Sequence, residues 1–265
     1  MTNNTCFTRF HLCSALAVLA CVVGSPNLAS AESADAAPSD SPTVAIINDE
    51  GPVGLEKPSD PITMCGDVKL GENKSKLVAE PGQGVVAALK KLPYDQTKPL
   101  LSKQKFGDCK VELEFVIAGG SNSGVKLQSR YEIQLYDSHG KENPGGADCG
   151  GVYPHWSYHT GKPGFQYTDK GSPPAVNAAL PAGEWQKLEI TFRAPRFDES
   201  GKKTENARFE LVMLNGKEVQ RDFELESPTG TIDNPLKEVA EAPLFLQVDH
   251  GAVAFRNVTV TPLEK

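Results

Sequence analysis

The sequence predicts an all-β protein, a β-sandwich of antiparallel sheets, and three observations carry that reading. From Phe106 onward apolar residues recur at every second position in short runs, the period of a strand with one buried face. The runs are punctuated by turn residues, drawn from 24 Gly and 20 Pro in 265 residues. Nowhere does the 3.6-residue period of an amphipathic helix take over. A hydrophobic content of 39% is enough for a core.

The strands run in order along the chain. Cys109 to Ile117 places Val111, Leu113 and Phe115 on one face and Lys110, Glu112 and Glu114 on the other. Gly119-Gly120 turns the chain into 121–138. There Val125, Leu127 and Ser129 alternate with Lys126, Gln128 and Arg130, and after Arg130 the pattern restarts. Tyr131, Ile133 and Leu135 then face the core, and Glu132, Gln134 and Tyr136 face away. Residues 139–183 read as a long loop region rich in Gly and Pro, carrying His155, Trp156, Tyr158, Phe165 and Tyr167. Gln186 to Arg193, Arg208 to Leu214, Lys217 to Leu225, Leu244 to Val248 and Val253 to Val260 complete the set. Asn215-Gly216 is a hairpin signal, because both residues tolerate positive φ. Upstream, Val85 to Leu92 fits a short helix or a strand, and Pro93 and Pro99 break the chain after it.

The folded domain is expected over 59–265. Residues 32–58, rich in Ala, Ser, Asp and Pro, read as a flexible linker. Residues 1–31 read as a signal peptide: Arg9, an uncharged stretch from Leu12 to Gly24 too short to span a bilayer, and Ala29-Ser30-Ala31 as the cleavage site. The chain is therefore expected to be exported, periplasmic or extracellular. Val18-Leu19-Ala20-Cys21 loosely resembles a lipoprotein box, and acylation of Cys21 would attach the chain to a membrane. Cleavage after Ala31 leaves Cys65, Cys109 and Cys149. Either Cys109 and Cys149 form a bridge, or all three are buried thiols. Their spacing matches no metal motif. A net charge of −7 without a basic cluster argues against nucleic acid as a partner.

An ordered set of motifs resembles the 3-keto-disaccharide hydrolase domain family. It runs Phe-Gly-Asp (106–108), Asn-Ser-Gly-Val (122–125), Arg-Tyr-Glu-Ile-Gln-Leu-Tyr-Asp-Ser (130–138) and Cys-Gly-Gly-Val-Tyr (149–153). It continues through Gly-Glu-Trp-Gln-Lys-Leu-Glu-Ile (183–190), Leu-Asn-Gly (214–216), Asp-His-Gly (249–251) and Phe-Arg-Asn-Val (255–258). The resemblance implies a concanavalin A-like jelly roll of two antiparallel sheets with a sugar-binding concave face. It also implies cleavage of glycosides whose C3 hydroxyl has been oxidised to a ketone. A separate sugar 3-oxidoreductase would have to supply such a substrate. The chain departs from the family at 59–100, which lacks the usual Trp-containing opening, and at 154–176, which reads as an inserted aromatic loop.

A ketone at C3 acidifies the C2 proton, so cleavage by elimination and hydration needs a base, an enolate stabiliser and an acid. Glu132, mid-strand on the polar face, is the first choice as base or acid, with Lys126 as enolate stabiliser. His250 is the candidate proton shuttle, or else Asp249-His250-Gly251 is a tight turn. Gln128, Gln134 and Gln247 are suited to holding hydroxyls, as is Asp249. Arg130 either binds an oxyanion or ends a strand, and Arg256 either supports the site or makes a structural ion pair. Asp137 can bind sugar, and Trp156 can stack on it. No cofactor is expected, and a metal ion is left open. Two other functions compete: a non-catalytic, lectin-like carbohydrate-binding module, and a conventional glycosidase with two carboxylates. The second is disfavoured because Gln134 and Tyr136 occupy the positions where Glu132 would need a companion acid.

Overall fold

The structure is a computed structural model that describes residues 42–94 and 97–264. The expected signal peptide, Cys21 and residues 32–41 lie outside the described residues.

The strands are β1 (Val44–Ile47), β2 (Thr63–Leu70), β3 (Leu77–Ala88), β4 (Leu100–Phe106), β5 (Cys109–Ile117) and β6 (Asn122–Leu127). They continue with β7 (Tyr131–Tyr136), β8 (His155–Ser157), β9 (Gln166–Tyr167), β10 (Gln186–Arg193), β11 (Arg196–Phe197) and β12 (Lys203–Glu205). The last are β13 (Ala207–Leu214), β14 (Lys217–Leu225), β15 (Gly230–Thr231), β16 (Ala242–Leu246) and β17 (Val253–Pro262). No helix occurs among the described residues.

Two antiparallel sheets form the sandwich. The larger runs β14-β13-β10-β5-β17-β3-β2, with β1 also on β17. The smaller runs β4-β16-β6-β7. Both faces of the core obey the alternation read from the sequence. Val111, Leu113 and Phe115 from β5 are buried together with Val125, Leu127, Tyr131, Ile133 and Leu135 from β6 and β7. Burying each such side chain stabilises the fold by about 1.5–3 kcal/mol. The jelly-roll sandwich expected from the sequence is therefore the fold. The Lys217–Leu225 return is a strand paired with β13 across the Asn215-Gly216 turn, where both residues have positive φ. Of Val85 to Leu92, Val85 to Ala88 are strand, the end of β3, and 89–92 lie past it in neither strand nor helix.

The linker reading of 32–58 is corrected over its described part. β1 pairs with the second half of β17, Val44 opposite Val260, while β3 pairs with its first half, Val253 opposite Ala88. One edge of β17 is thus shared by two strands. Ile46 and Ile47 are fully buried. Downstream, the Glu56 N–H donates to Leu101 O at 2.8 Å and the Lys103 N–H to Gly54 O at 2.8 Å, which stitches this segment to β4 in the smaller sheet. The apolar residues at 44–47 outweigh a disordered composition because a ready-made edge satisfies their backbone.

The Cys109–Cys149 bridge is also corrected. Cys65, Cys109 and Cys149 are all free and buried. Burial pushes the Cys109 and Cys149 thiols up to about 12, with nearby acid groups adding to the effect.

Candidate functional site

The site is built on the face of the smaller sheet that points away from the core. In the β6–β7 hairpin Lys126 lies opposite Glu132, and Gly124 opposite Gln134. Phe245 of β16 pairs with Lys126 on the other side. The Tyr153 N–H donates to Glu132 O at 3.1 Å, so the 150–153 segment extends the sheet past β7. Val152 turns into the core, which directs Tyr153 to the same face as Glu132. One transverse row therefore reads Phe245, Lys126, Glu132, Tyr153. The next reads Gln247, Gly124, Gln134, since the Gln247 N–H donates to Gly124 O at 2.9 Å.

Glu132 is the centre of this face. It is only 2% exposed, and its Oε2 lies 2.8 Å from Lys126 Nζ. A buried carboxylate is tolerated when a charged partner meets it. Lys126 Nζ also sits 5.3 Å over the Phe245 ring, a cation–π contact that holds the ammonium from beneath. The carboxylate lies across Gly124, where an added Cβ would be 2.1 Å from Glu132 Oε1. Burial pushes the Tyr153 phenol up, and the Tyr167 hydroxyl and the Glu132 charge push it further. Tyr153 is thus a protonated donor at neutral pH. Its oxygen is 3.4 Å from that of Tyr167, too far for a strong hydrogen bond.

His250 is on the same face, beyond Gln247. Its Nδ1 is 2.6 Å from Asp249 Oδ1 and 3.2 Å from the Gln247 amide. Asp249 therefore orients the imidazole by way of Nδ1, and no protein partner to Nε2 occurs among the described residues. Strands β16 and β7 are two spacings apart, ~10 Å, a gap that a pyranose ring fills. Gln134 lies in the floor, 1% exposed, with its Nε2 3.3 Å from Ala147 O.

Four expected ligand-binding residues are elsewhere. Gln128, Ser129 and Arg130 form the three-residue turn of the β6–β7 hairpin, the first two with φ of 53° and 59°, and the Arg130 N–H donates to Leu127 O at 3.0 Å. The turn takes Gln128 off the Lys126 face. Its Nε2 instead donates to Ala240 O at 2.8 Å and Phe106 O at 3.3 Å. Arg130 donates to Lys237 O and to Gln128 O, both at 2.7 Å, and clamps the same turn. Asp137 accepts the Gly120 N–H at 2.9 Å, which closes the bend before β6. Arg256 projects from the outer face of the larger sheet, paired with Glu114 at 2.7 Å and stacked 4.0 Å over Trp185. Of its two expected roles, the structural ion pair is the one the fold contains.

Trp156 belongs to an aromatic arm beside Glu132, formed by β8, β9 and the loop between them. Three site features escaped the sequence reading: Gly124 as the seat of the carboxylate, Phe245 beneath the ammonium, and Tyr153 as a donor beside Glu132. A glycine inside a strand signals close approach of another group, so Gly124 did carry a legible signal.

The sandwich carries a polar face centred on a buried carboxylate and an ammonium, and comparison with known proteins places the chain in a carbohydrate-active, glycosyl-hydrolase-like class. The 3-keto-alpha-glucoside-1,2-lyase-like domain matches residues 69–261, and the chain belongs to that family. The crystal structure of a candidate glycosyl hydrolase from Parabacteroides distasonis ATCC 8503 is similar, at 25% identity and a TM-score of 0.55, over 83% of this chain and 84% of that one. A second from the same organism is 20% identical with a TM-score of 0.45, over 74% of this chain and 98% of that one. No curated protein matches the chain.

Proposed function

We propose that the chain is an exported enzyme that cleaves glycosides whose C3 hydroxyl has been oxidised to a ketone. The observation that carries this reading is the Glu132–Lys126 pair, a carboxylate and an ammonium 2.8 Å apart on one sheet face. Proton abstraction next to a carbonyl needs both charges together. Membership of a family described by 1,2-lyase chemistry supports the same reading.

Glu132 takes the C2 proton, and the electron pair moves onto the C3 oxygen, where the Lys126 ammonium stabilises the enolate. Collapse of the enolate forms a C1–C2 double bond and expels the C1 substituent. That group leaves with a proton from His250 Nε2, the ring being held at Nδ1 by Asp249. Water then adds its oxygen to C1 and gives one proton back to His250 Nε2, and Glu132 returns its proton to C2. The sum is hydrolysis of the glycoside without a change of oxidation state. The ketone itself comes from a prior oxidation at C3 by a separate enzyme.

The test is aglycone release by the full chain from chromogenic 3-keto-glucosides, α and β, beside their unoxidised parents. Only the keto forms should react. Glu132→Gln should lower turnover ~10²–10⁴-fold, while ligand affinity changes little. Cleavage of keto and parent alike would point to a conventional glycosidase, and cleavage of neither to a sugar-binding module. Undiminished turnover by the variant would remove Glu132 from the chemistry.

A further inference from the structure

The proposed chemistry uses Glu132, Lys126 and His250 and leaves the Tyr153 phenol unassigned. Tyr153 flanks Glu132 on the side away from Lys126, with its N–H bonded to Glu132 O at 3.1 Å. Its ring is fixed from the arm: it meets Tyr167 edge to face at 6.0 Å, and Tyr167 meets Phe165 at 5.5 Å. The phenol oxygen is 3.4 Å from the Tyr167 oxygen, too long to commit its hydrogen. Burial, the Tyr167 hydroxyl and the Glu132 charge keep the phenol protonated. The carboxylate thus has a donor on each side, an ammonium on β6 and a phenol on the 150–153 segment. The two strands that carry them are two spacings apart, ~10 Å.

The geometry at C2 of the sugar decides what faces that phenol. This carbon carries four groups: the proton that Glu132 takes, C1, C3 and the oxygen O2. The C2–H bond points at the carboxylate. C3 bears the oxygen that Lys126 holds, and C1 bears the group that His250 protonates. Lys126 is opposite Glu132 on β6. His250 is next to Gln247, 3.2 Å from its amide, and Gln247 follows β16 and bonds to Gly124 of β6. Both groups are therefore on the β6–β16 side of Glu132, and the pyranose ring lies over the gap between β16 and β7. The remaining substituent of a tetrahedral ring carbon points away from the ring. O2 is thus aimed past Glu132, toward Tyr153. An oxygen taken out of water there needs a donor, and the phenol has one to give.

We propose that Tyr153 is a specificity-determining residue whose phenol donates to O2, so that the enzyme selects 3-keto-glycosides carrying a 2-hydroxyl. The proposal rests on the reading of Glu132, Lys126 and His250 given above, and it adds the C2 substituent and the residue that recognises it. The phenol keeps its proton throughout, so the proton count of the reaction is unchanged. Its bond to O2 fixes which C2 substituent meets Glu132: in the C2 epimer the hydroxyl, not the proton, would face the carboxylate.

The test compares the full chain with Tyr153→Phe, which removes the hydroxyl and keeps the ring. The substrates are a 4-nitrophenyl 3-keto-glucoside and its 2-deoxy counterpart, each corrected for its uncatalysed rate. The substitution should lower kcat/KM on the 2-hydroxy substrate roughly tenfold to a hundredfold. It should change little on the 2-deoxy substrate, which offers the phenol nothing to hold. Circular dichroism checks the fold. A merely structural role would lower both rates alike, so equal losses, or no loss on either, would overturn the proposal. Calorimetry with the unoxidised methyl glycosides reads the same contact without turnover. The parent chain should bind methyl glucoside roughly tenfold more tightly than methyl 2-deoxyglucoside, and Tyr153→Phe should bind them equally. A preference that survives the substitution, or none in the parent, would overturn the proposal. Cleavage of neither keto substrate by the parent would sink the 3-keto chemistry, and the binding comparison would then decide the role of Tyr153 by itself.

Discussion

Gly124 shows how much one hydrogen in place of a methyl decides. Glu132 lies over its Cα, and a Cβ there would sit 2.1 Å from Oε1 and 2.9 Å from the carboxyl carbon. Gly124→Ala must therefore move the carboxylate or the strand. We expect the variant to lose about 1–3 kcal/mol of stability by overpacking and at least about tenfold in turnover, since a 1 Å displacement of a reacting group is costly. Unfolding curves and rates on one 3-keto substrate would show it. Unchanged turnover would mean the carboxylate in this position is not the reacting group. At this scale the sequence identified Glu132 and Lys126 because both lie inside strands, where alternation is strict. It misplaced Gln128 and Arg130 because alternation does not continue through the three-residue turn 128–130 that reverses the chain.

The same contrast governs the elements. β5 and β10 have the bounds that alternation gives them. β1, β2 and β4 do not follow from the sequence: β1 is a four-residue apolar run inside a polar stretch, and the polar and apolar residues of β2 and β4 make no continuous pattern. β1 is ordered by an edge that β17 provides about 200 residues later, and no local signal announces it. Its contribution can be measured. Ile47 is fully buried in the main core, and Ile47→Ala should cost about 2–5 kcal/mol in urea unfolding at pH 7. A loss within experimental error would return residues 42–48 to the status of linker. The aromatic arm is the opposite case. Its composition stood out in the sequence, but the edge-to-face order of its rings, and the side of Glu132 on which they lie, come from the pairing of β8 with β9 and β15.

For the whole molecule, stability toward acid should depend on Asp108, at the corner where β5 begins. Its side chain is fully buried and accepts the Ala194 N–H at 2.8 Å, Arg196 at 2.8 Å and Arg193 at 3.2 Å. Burial alone would raise this carboxyl, but the Arg196, Ala194 and Arg193 bonds outweigh it and hold it below the usual Asp value. A depressed native pKa gives stability that is present above the unfolded value near ~3.9 and is lost as pH falls through the native value. Asp108→Asn should cost about 3 kcal/mol at pH 7, and the gap from the parent should close below about pH 4. A gap that is the same at pH 7 and pH 3 would show that charge is not what Asp108 contributes.

The sequence by itself missed the short strands β8 and β9 inside the region read as loop, but it determined the sandwich, its long strands from β5 onward (β5, β6, β7, β10, β13, β14, β16 and β17) and the pair of charges at the centre of the candidate site. Each of these comes from a two-residue period, which is a local property of the chain. Only the tertiary structure decided that residues 44–47 complete a sheet and that three cysteines stay apart as buried thiols. It alone placed Arg256 on the outer face of the larger sheet and seated Glu132 over Gly124. Those outcomes depend on which strand finds which edge, and contacts between residues far apart in the chain leave no periodic trace in it.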